Sequence, residues 1–144
     1  MKKLKFFLFS LGVLSVASLF SQTAFPNDIT YVSSTLWTQA KDVQVEGNYA
    51  YCAFLNGLLI EYVSDPAHPV FVSKLYFDGG GERVFVKDHY VYLADWSAGL
   101  IIIDVSNPAN PESIGSYNTP SYARDVFVKD TLAYVADCID RRHG

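Results

Sequence analysis

The sequence has 144 residues, which is the size of one ordinary domain and leaves no room for two. Half of the residues are apolar and only 18% are charged, so the composition excludes a disordered chain. The formal charge is −4, and the basic residues are scattered apart from Arg141 and Arg142, so nucleic acid is not an expected partner. Aromatic residues make up 15% of the chain beside a single Met, a mixture that favours β-structure over helical bundles.

Residues 1–21 have the layout of a secretory signal peptide. Three lysines precede an apolar run that ends at Phe20, and small and polar residues follow. The run of about 15 residues is shorter than the roughly 20 needed to span a bilayer, although an uncleaved anchor is the alternative. Removal of residues 1–21 leaves 8 basic and 15 acidic residues, a formal charge of −7, and no transmembrane segment. We therefore expect an exported chain in the periplasm, at the cell surface or outside the cell.

An internal repeat dominates the rest of the sequence. Residues 57–69, GLLIEYVSDPAHP, return 42 positions later as residues 99–111, GLIIIDVSNPANP. The run VFVKD at 84–88 returns with the same offset at 126–130, and an earlier copy begins at Val43, with an offset one position shorter. Three copies in register indicate duplication of one structural unit.

Each unit is predicted to contain four short strands. The first strand, residues 43–46, leads through a tight hairpin turn into a second strand, residues 49–53, in which Tyr and Ala recur at a spacing of two. The third strand, residues 100–105, is uniformly apolar, which predicts burial on both faces. A turn with two prolines then leads to the fourth strand, residues 70–77 in the first unit. The three equivalent hairpin turns carry residues that tolerate positive φ, at 47–48, 88–89 and 130–131.

Four antiparallel strands in about 42 residues, buried on both faces, are what a β-propeller blade requires. A parallel β-helix would use a shorter coil, and a sandwich would not show this period. We predict an all-β partial β-propeller with about two complete four-stranded blades, an N-terminal orphan strand and a C-terminal half blade. The predicted order after the signal peptide is an N-terminal segment with the outer strand, two full repeats and an incomplete third, at residues 22–39, 40–80, 81–122 and 123–144.

The second copy resembles the LVIVD repeat. The resemblance rests on GLIIIDVSNP at residues 99–108, followed by Pro111 and by YVAD at residues 134–137, and it covers roughly residues 40–137. In the first copy Glu61 and Tyr62 replace the Ile-Asp pair, so Asp104 has no equivalent there. The resemblance implies a tandem-repeat β-propeller protein of bacteria or archaea, exported or on the cell surface. It supplies no catalytic motif.

The repeat count predicts an unclosed ring. Propellers have four to eight blades, so the smallest ring needs about 168 residues, whereas about 123 remain without the signal peptide. The third copy stops after its second strand. We expect a fragment of a longer chain, with the assembly of several chains into one ring and a natural three-blade solenoid as alternatives. Missing blades or self-association would be needed to close the ring.

Five residues are candidates for a ligand-binding face. Asp42, Arg83 and Asp125 precede equivalent first strands and are predicted to lie at the channel entrance, with ion pairs between neighbouring blades as the alternative. Asp95 and Trp96 offer a carboxylate and an exposed indole suited to stacking a sugar ring, unless the Trp fills a gap between blades. Three consecutive glycines at 79–81 predict a flexible connection between the first two blades.

No catalytic, cofactor-binding or metal-binding residue is predicted. The three histidines are dispersed, and Cys52 and Cys138 are expected to be two separate thiols. The function predicted from the sequence is an exported, non-enzymatic repeat module that acts as a scaffold or binds protein or carbohydrate at the cell surface. The alternative is a fragment of a propeller-fold hydrolase with its site at the channel mouth.

Overall fold

The computed structural model describes residues 5–6, 30–31 and 39–138. The predicted signal peptide, apart from residues 5–6, and most of the predicted outer strand lie outside the described residues. Every regular element in these ranges is a strand. The strands are β1 (Lys5–Phe6), β2 (Thr30–Tyr31), β3 (Ala40–Glu46), β4 (Tyr49–Phe54), β5 (Gly57–Tyr62), β6 (Val70–Tyr76), β7 (Arg83–Lys87), β8 (Tyr90–Ala94), β9 (Leu100–Asp104), β10 (Glu112–Tyr117), β11 (Tyr122–Lys129) and β12 (Leu132–Cys138).

Three antiparallel sheets follow the three sequence repeats. The first sheet has the order β3-β4-β5-β6, the second has the order β7-β8-β9-β10, and the third consists of β11 and β12. Each four-stranded sheet is a meander in which consecutive strands pair, as in a propeller blade. The short strands β1 and β2 pair in parallel. The prediction of an all-β partial β-propeller is confirmed, and the sheets do not form a closed ring.

The hairpin turns between the first and second strands adopt left-handed backbone conformations. The φ angle is 59° at Gly47, 51° at Asp88, 67° at His89 and 53° at Asp130. Glycine adopts such angles without strain, and Asp tolerates them better than most residues. The turn chemistry predicted from the sequence is therefore confirmed at all three repeats.

The β-bulges of the sheets recur at equivalent positions of two repeats each. The pairing of β5 with β6 skips Val72, and the pairing of β9 with β10 skips Ile114, which is the equivalent residue of the second repeat. The pairing of β3 with β4 skips Lys41, and that of β11 with β12 skips Arg124. A β-bulge bends its strand and increases the local twist, so the first and second sheets are bent alike at their fourth strands, and the first and third sheets at their first strands.

The core lies between the stacked sheets. One cluster joins the first and second sheets, and a smaller cluster joins the second and third. The third strands β5 and β9 are almost entirely buried, which confirms the predicted burial on both faces. Complete burial of each Leu or Ile side chain stabilises the fold by about 1.5–3 kcal/mol. The fully buried members include Leu58, Ile60, Leu93 and Ile103.

The glycine connection between the first and second sheets is closely packed. A Cβ atom at Gly81 would lie 2.7 Å from the carbonyl oxygen of Phe54 and 2.9 Å from that of Gly57. Both Gly80 and Gly81 are buried. The connection is thus a packed segment that leaves no room for a side chain at Gly79 or Gly81, instead of the flexible one that the sequence predicted.

Candidate functional site

The first strands β3, β7 and β11 lie side by side and bring three of the predicted site residues into one row. Arg83 lies between two carboxylates: its Nη1 is 3.1 Å from Oδ1 of Asp42, and its Nε is 3.8 Å from Oδ1 of Asp125. Oδ2 of Asp42 also accepts a hydrogen bond of 3.0 Å from the backbone N–H of Val84. Each of these contacts crosses from one sheet to the next.

A second ion pair lies beside this row. Nζ of Lys41 is 3.7 Å from Oε1 of Glu82, which precedes the neighbouring sheet. The charged side chains at the starts of the first strands therefore satisfy one another between sheets, as the alternative interpretation of the sequence predicted. Arg83 and Asp125 remain 51% and 61% exposed, so the pairs are screened by water.

Asp95 does not join this row and is completely buried at the end of β8. Its Oδ1 accepts a hydrogen bond of 2.6 Å from the backbone N–H of Gly80. Burial raises the pKa of Asp95, the charge of Asp78 adds to this effect, and the hydrogen bonds from Gly80 and Gly79 oppose it. The expected accessible carboxylate is therefore wrong, because Asp95 binds the glycine connection and faces no solvent.

Trp96 is held in a small aromatic cluster next to the third sheet. Its indole stacks on the ring of Tyr122 with a centroid separation of 4.5 Å and an interplanar angle of 20°. The guanidinium carbon of Arg124 lies 5.9 Å from the indole centroid. The backbone carbonyl of Trp96 accepts a hydrogen bond of 2.9 Å from Ala123. Trp96 thus fills a position between two sheets, as the alternative interpretation predicted, and one face of its ring is covered.

The Asp that ends the second strand has a similar role in the third repeat. Oδ2 of Asp137 accepts a hydrogen bond of 3.1 Å from the backbone N–H of Ser121, which occupies the position of Gly79. This carboxylate therefore anchors the connection that enters its own sheet. The repeated YxAD pattern could have revealed this role, because the Asp recurs at the same position relative to both connections.

An exposed apolar surface lies on the third sheet, where the unclosed ring predicted from the sequence would leave a blade face unpaired. The third sheet presents Phe127, Leu132 and Tyr134 on the face opposite Val126 and Val128, and these side chains are 56%, 58% and 54% exposed. The Phe127 ring also contacts Phe85 of the second sheet, with centroids 5.2 Å apart. In the second sheet the equivalent residues Phe85 and Tyr92 pack against the third sheet. We call this surface, formed by Asp125, Phe127, Lys129, Leu132 and Tyr134, the outward face.

Other chemistry is limited in the described residues. They contain no group of three His, Cys, Asp or Glu side chains placed to hold a metal ion. Among them we also find no helix with the length and hydropathy of a membrane-crossing segment. Cys52 is buried and Cys138 is exposed, and both are free thiols, as the sequence predicted. Burial raises the pKa of Cys52, and the charges of Glu61 and Asp42 add to the effect, so this thiol is unreactive.

Comparison with known proteins identifies the repeat. A family model of the LVIVD repeat matches residues 38–76, 78–119 and 120–139, which enclose the first, second and third sheets. No curated protein matches the chain significantly. No solved structure matches it significantly. The three family matches together cover well over half of the sequence. The chain therefore belongs to the LVIVD repeat family.

Proposed function

We propose that this repeat module is exported, is non-enzymatic, and binds another protein through the outward face of its third sheet. The single observation that carries the proposal is the exposure of Phe127, Leu132 and Tyr134, whereas Phe85 and Tyr92, the equivalents of Phe127 and Tyr134, are partly buried against the third sheet. Contiguous apolar surface rimmed by charge is typical of protein interaction sites. Asp125 and Lys129 supply that charged rim.

Further observations support the binding role, the class of partner and export. Arg83 forms ion pairs with both Asp42 and Asp125, so the charged side chains of the row are engaged with one another. A protein is favoured over a carbohydrate as the partner, because Tyr122 already covers one face of the Trp96 indole. Export is supported by the signal-peptide pattern of residues 1–21.

Site-specific photo-crosslinking in the cells that produce the protein tests the binding role. A photoreactive phenylalanine analogue at position 127 should form a light-dependent adduct with a protein. The matched control is the same analogue at Tyr117, which is 67% exposed on β10 of the second sheet. Absence of an adduct from position 127, or equal adducts from both positions, would overturn the proposal.

Export is tested separately with a reporter fusion. Residues 1–21 joined to an enzyme that is active only after export should give activity, and replacement of Lys2, Lys3 and Lys5 by Glu should reduce it. A fusion that stays in the cytoplasm would contradict export. This outcome would leave the crosslinking result to decide the binding role on its own.

A further inference from the structure

We infer that the protein bound by the outward face is a second copy of this chain, which docks the inner strand β3 of its first sheet. This inference rests on the proposed protein-binding role of the outward face and names the partner. The two copies join head to tail at two equivalent junctions, one at each end of the pair.

The chain itself already contains this junction twice. Val84 and Val86 on β7 are 6% and 4% exposed against the first sheet, and Val126 and Val128 on β11 are 5% and 6% exposed against the second. The first strand of each following sheet thus supplies two valines, at alternate positions, to the sheet before it. The face of each preceding sheet therefore binds a first strand that presents two valines.

The same pair of valines in the first sheet is exposed. Val43 and Val45 on β3 occupy the positions of Val84 and Val86, yet they are 37% and 52% exposed. Strand β3 therefore exposes the two valines that the later first strands bury against the preceding sheet, and the outward face of the third sheet has no following strand packed on it in the described residues. Docking between two copies would repeat the first-strand part of an interface that each copy already forms internally.

The aromatic residues of the internal junction also have equivalents on the outward face. Phe85 and Tyr92 pack against the cluster that contains Val126 and Val128. Phe127 and Tyr134 occupy the positions of these two aromatics in the next repeat and are directly paired across β11 and β12. They would pack against Val43 and Val45 of the second copy, and this burial supplies the free energy of association.

Charge sets the register of the junction. Nζ of Lys87 is 2.8 Å from the carbonyl oxygen of Asp130 across the second and third sheets. Lys129 occupies the position of Lys87, and Gly47, next to Glu46, occupies that of Asp130. Lys129 would therefore meet a carbonyl group with a carboxylate beside it. Asp125 would face Asp42, but each carboxylate is already paired with Arg83 of its own copy.

The contact is confined to the inner strand. Ala50, Cys52 and Leu59, farther out on the same face of the first sheet, are already 1%, 0% and 2% exposed within one copy. Each copy contributes two four-stranded sheets and one two-stranded sheet, and a twofold axis makes the two junctions between the copies identical.

The mass of the exported full chain in solution tests the inference. Light scattering coupled to size-exclusion chromatography should give twice the mass of one copy. Val45→Asp and Phe127→Lys should each weaken the dimer by about 30-fold or more, because each buries a charge at the centre of the junction. Tyr117→Lys, which changes an exposed aromatic outside the junction, should leave the dimer unchanged.

Mixing the two disruptive variants gives the decisive result. A dimer of one copy of each variant has two different junctions. At one junction, Phe127 of the Val45→Asp variant meets Val45 of the Phe127→Lys variant, and both surfaces are unaltered. At the other junction, the new carboxylate at position 45 lies beside the new ammonium at position 127. A heterodimer should therefore form again. Circular dichroism spectra identical to that of the parent protein establish that each variant is folded.

A monomeric parent chain, or a dimer that persists in Phe127→Lys, would overturn the inference. So would a mixture that remains monomeric while both variants are folded. A monomeric chain whose position 127 crosslinks to a protein of another mass would overturn the second copy as partner and uphold the proposed function. Loss of crosslinking from position 127 would instead count against the proposed function itself.

Discussion

The side-chain amide of Gln44 forms two hydrogen bonds with the backbone of Val86 in the neighbouring sheet. Its Oε1 accepts from the Val86 N–H at 2.8 Å, and its Nε2 donates to the Val86 carbonyl at 3.2 Å. Phe85 and Phe127 occupy the position of Gln44 in the later repeats and contact each other edge to face, with centroids 5.2 Å apart. One repeat position thus joins sheets by polar bonds at one junction and by aromatic packing at the next.

Gln44→Leu is expected to destabilise the fold by about 1–3 kcal/mol, because it leaves a partly buried N–H and carbonyl of Val86 without partners. Urea unfolding followed by circular dichroism measures the change. Gln44→Glu keeps the acceptor and loses the donor, so we expect a smaller loss. Ser116→Ala, an exposed change on β10, should alter stability by less than about 0.5 kcal/mol. Equal stability of Gln44→Leu and Ser116→Ala would contradict this prediction.

Substitutions of Asp42 and Arg83 in the charged row are expected to lower the stability of the fold by different amounts. Asp42 forms an ion pair with Arg83 and also accepts a hydrogen bond from the Val84 N–H. Arg83 forms only ion pairs, and its side chain is half exposed. Asp42→Ala should therefore cost about 1–2 kcal/mol of stability and Arg83→Ala less than about 1 kcal/mol. A double-mutant cycle measured at low and high salt checks the ion pair, whose coupling should shrink as salt rises. A larger loss from Arg83→Ala than from Asp42→Ala would show that the hydrogen bond to Val84 is unimportant.

The glycine connection predicts that Gly81→Ala is strongly destabilising. The new Cβ would meet the carbonyl oxygens of Phe54 and Gly57 at 2.7 and 2.9 Å, and backbone atoms cannot swing aside as a flexible side chain can. We expect a loss of about 1–3 kcal/mol or more, measured as a lower urea midpoint. Gly115→Ala is the matched control, because its Cβ would meet nothing within 4 Å. The control should be neutral or slightly stabilising, since Ala loses less backbone entropy than Gly. If both variants unfold at the same urea concentration, close packing at Gly81 is not what restricts that position.

The repeat made most of the fold predictable from the sequence. The offsets of 41 and 42 residues between copies, the paired tyrosines and the apolar third strand located the sheets and their order, because strand periodicity and two-faced burial are local patterns. The contacts between sheets were harder to predict from the sequence. Gln44 lies in the repeat position that holds Phe in the other copies, so its bonds to Val86 follow from packing that no local pattern encodes. The burial of Asp95 was missed for the same reason, because a carboxylate beside a Trp has the pattern of a surface site.

The pH dependence of stability provides a test of the buried Asp95 carboxylate. Burial raises the pKa of Asp95 in the folded state above its ordinary value of about 4. Both folded and unfolded chains bind this proton at lower pH. As the pH rises toward the raised pKa, the unfolded chain releases the proton first, so the free energy of unfolding falls until the folded carboxyl has also ionised.

Asp95→Asn should remove this loss, because the amide oxygen can still accept from the Gly80 N–H and carries no charge. We expect the free energy of unfolding of the parent chain, relative to Asp95→Asn, to decrease from about pH 4 upwards and then to level off above the raised pKa of Asp95. Urea titrations of both proteins across this range measure the difference. Asp95→Ala, which also loses the acceptor for the Gly80 N–H, should be less stable than Asp95→Asn by about 1–3 kcal/mol at every pH. A constant difference between the parent chain and Asp95→Asn over the whole range would show that this carboxyl titrates alike in the folded and unfolded chains, and that its contact with Gly80 is only a neutral hydrogen bond.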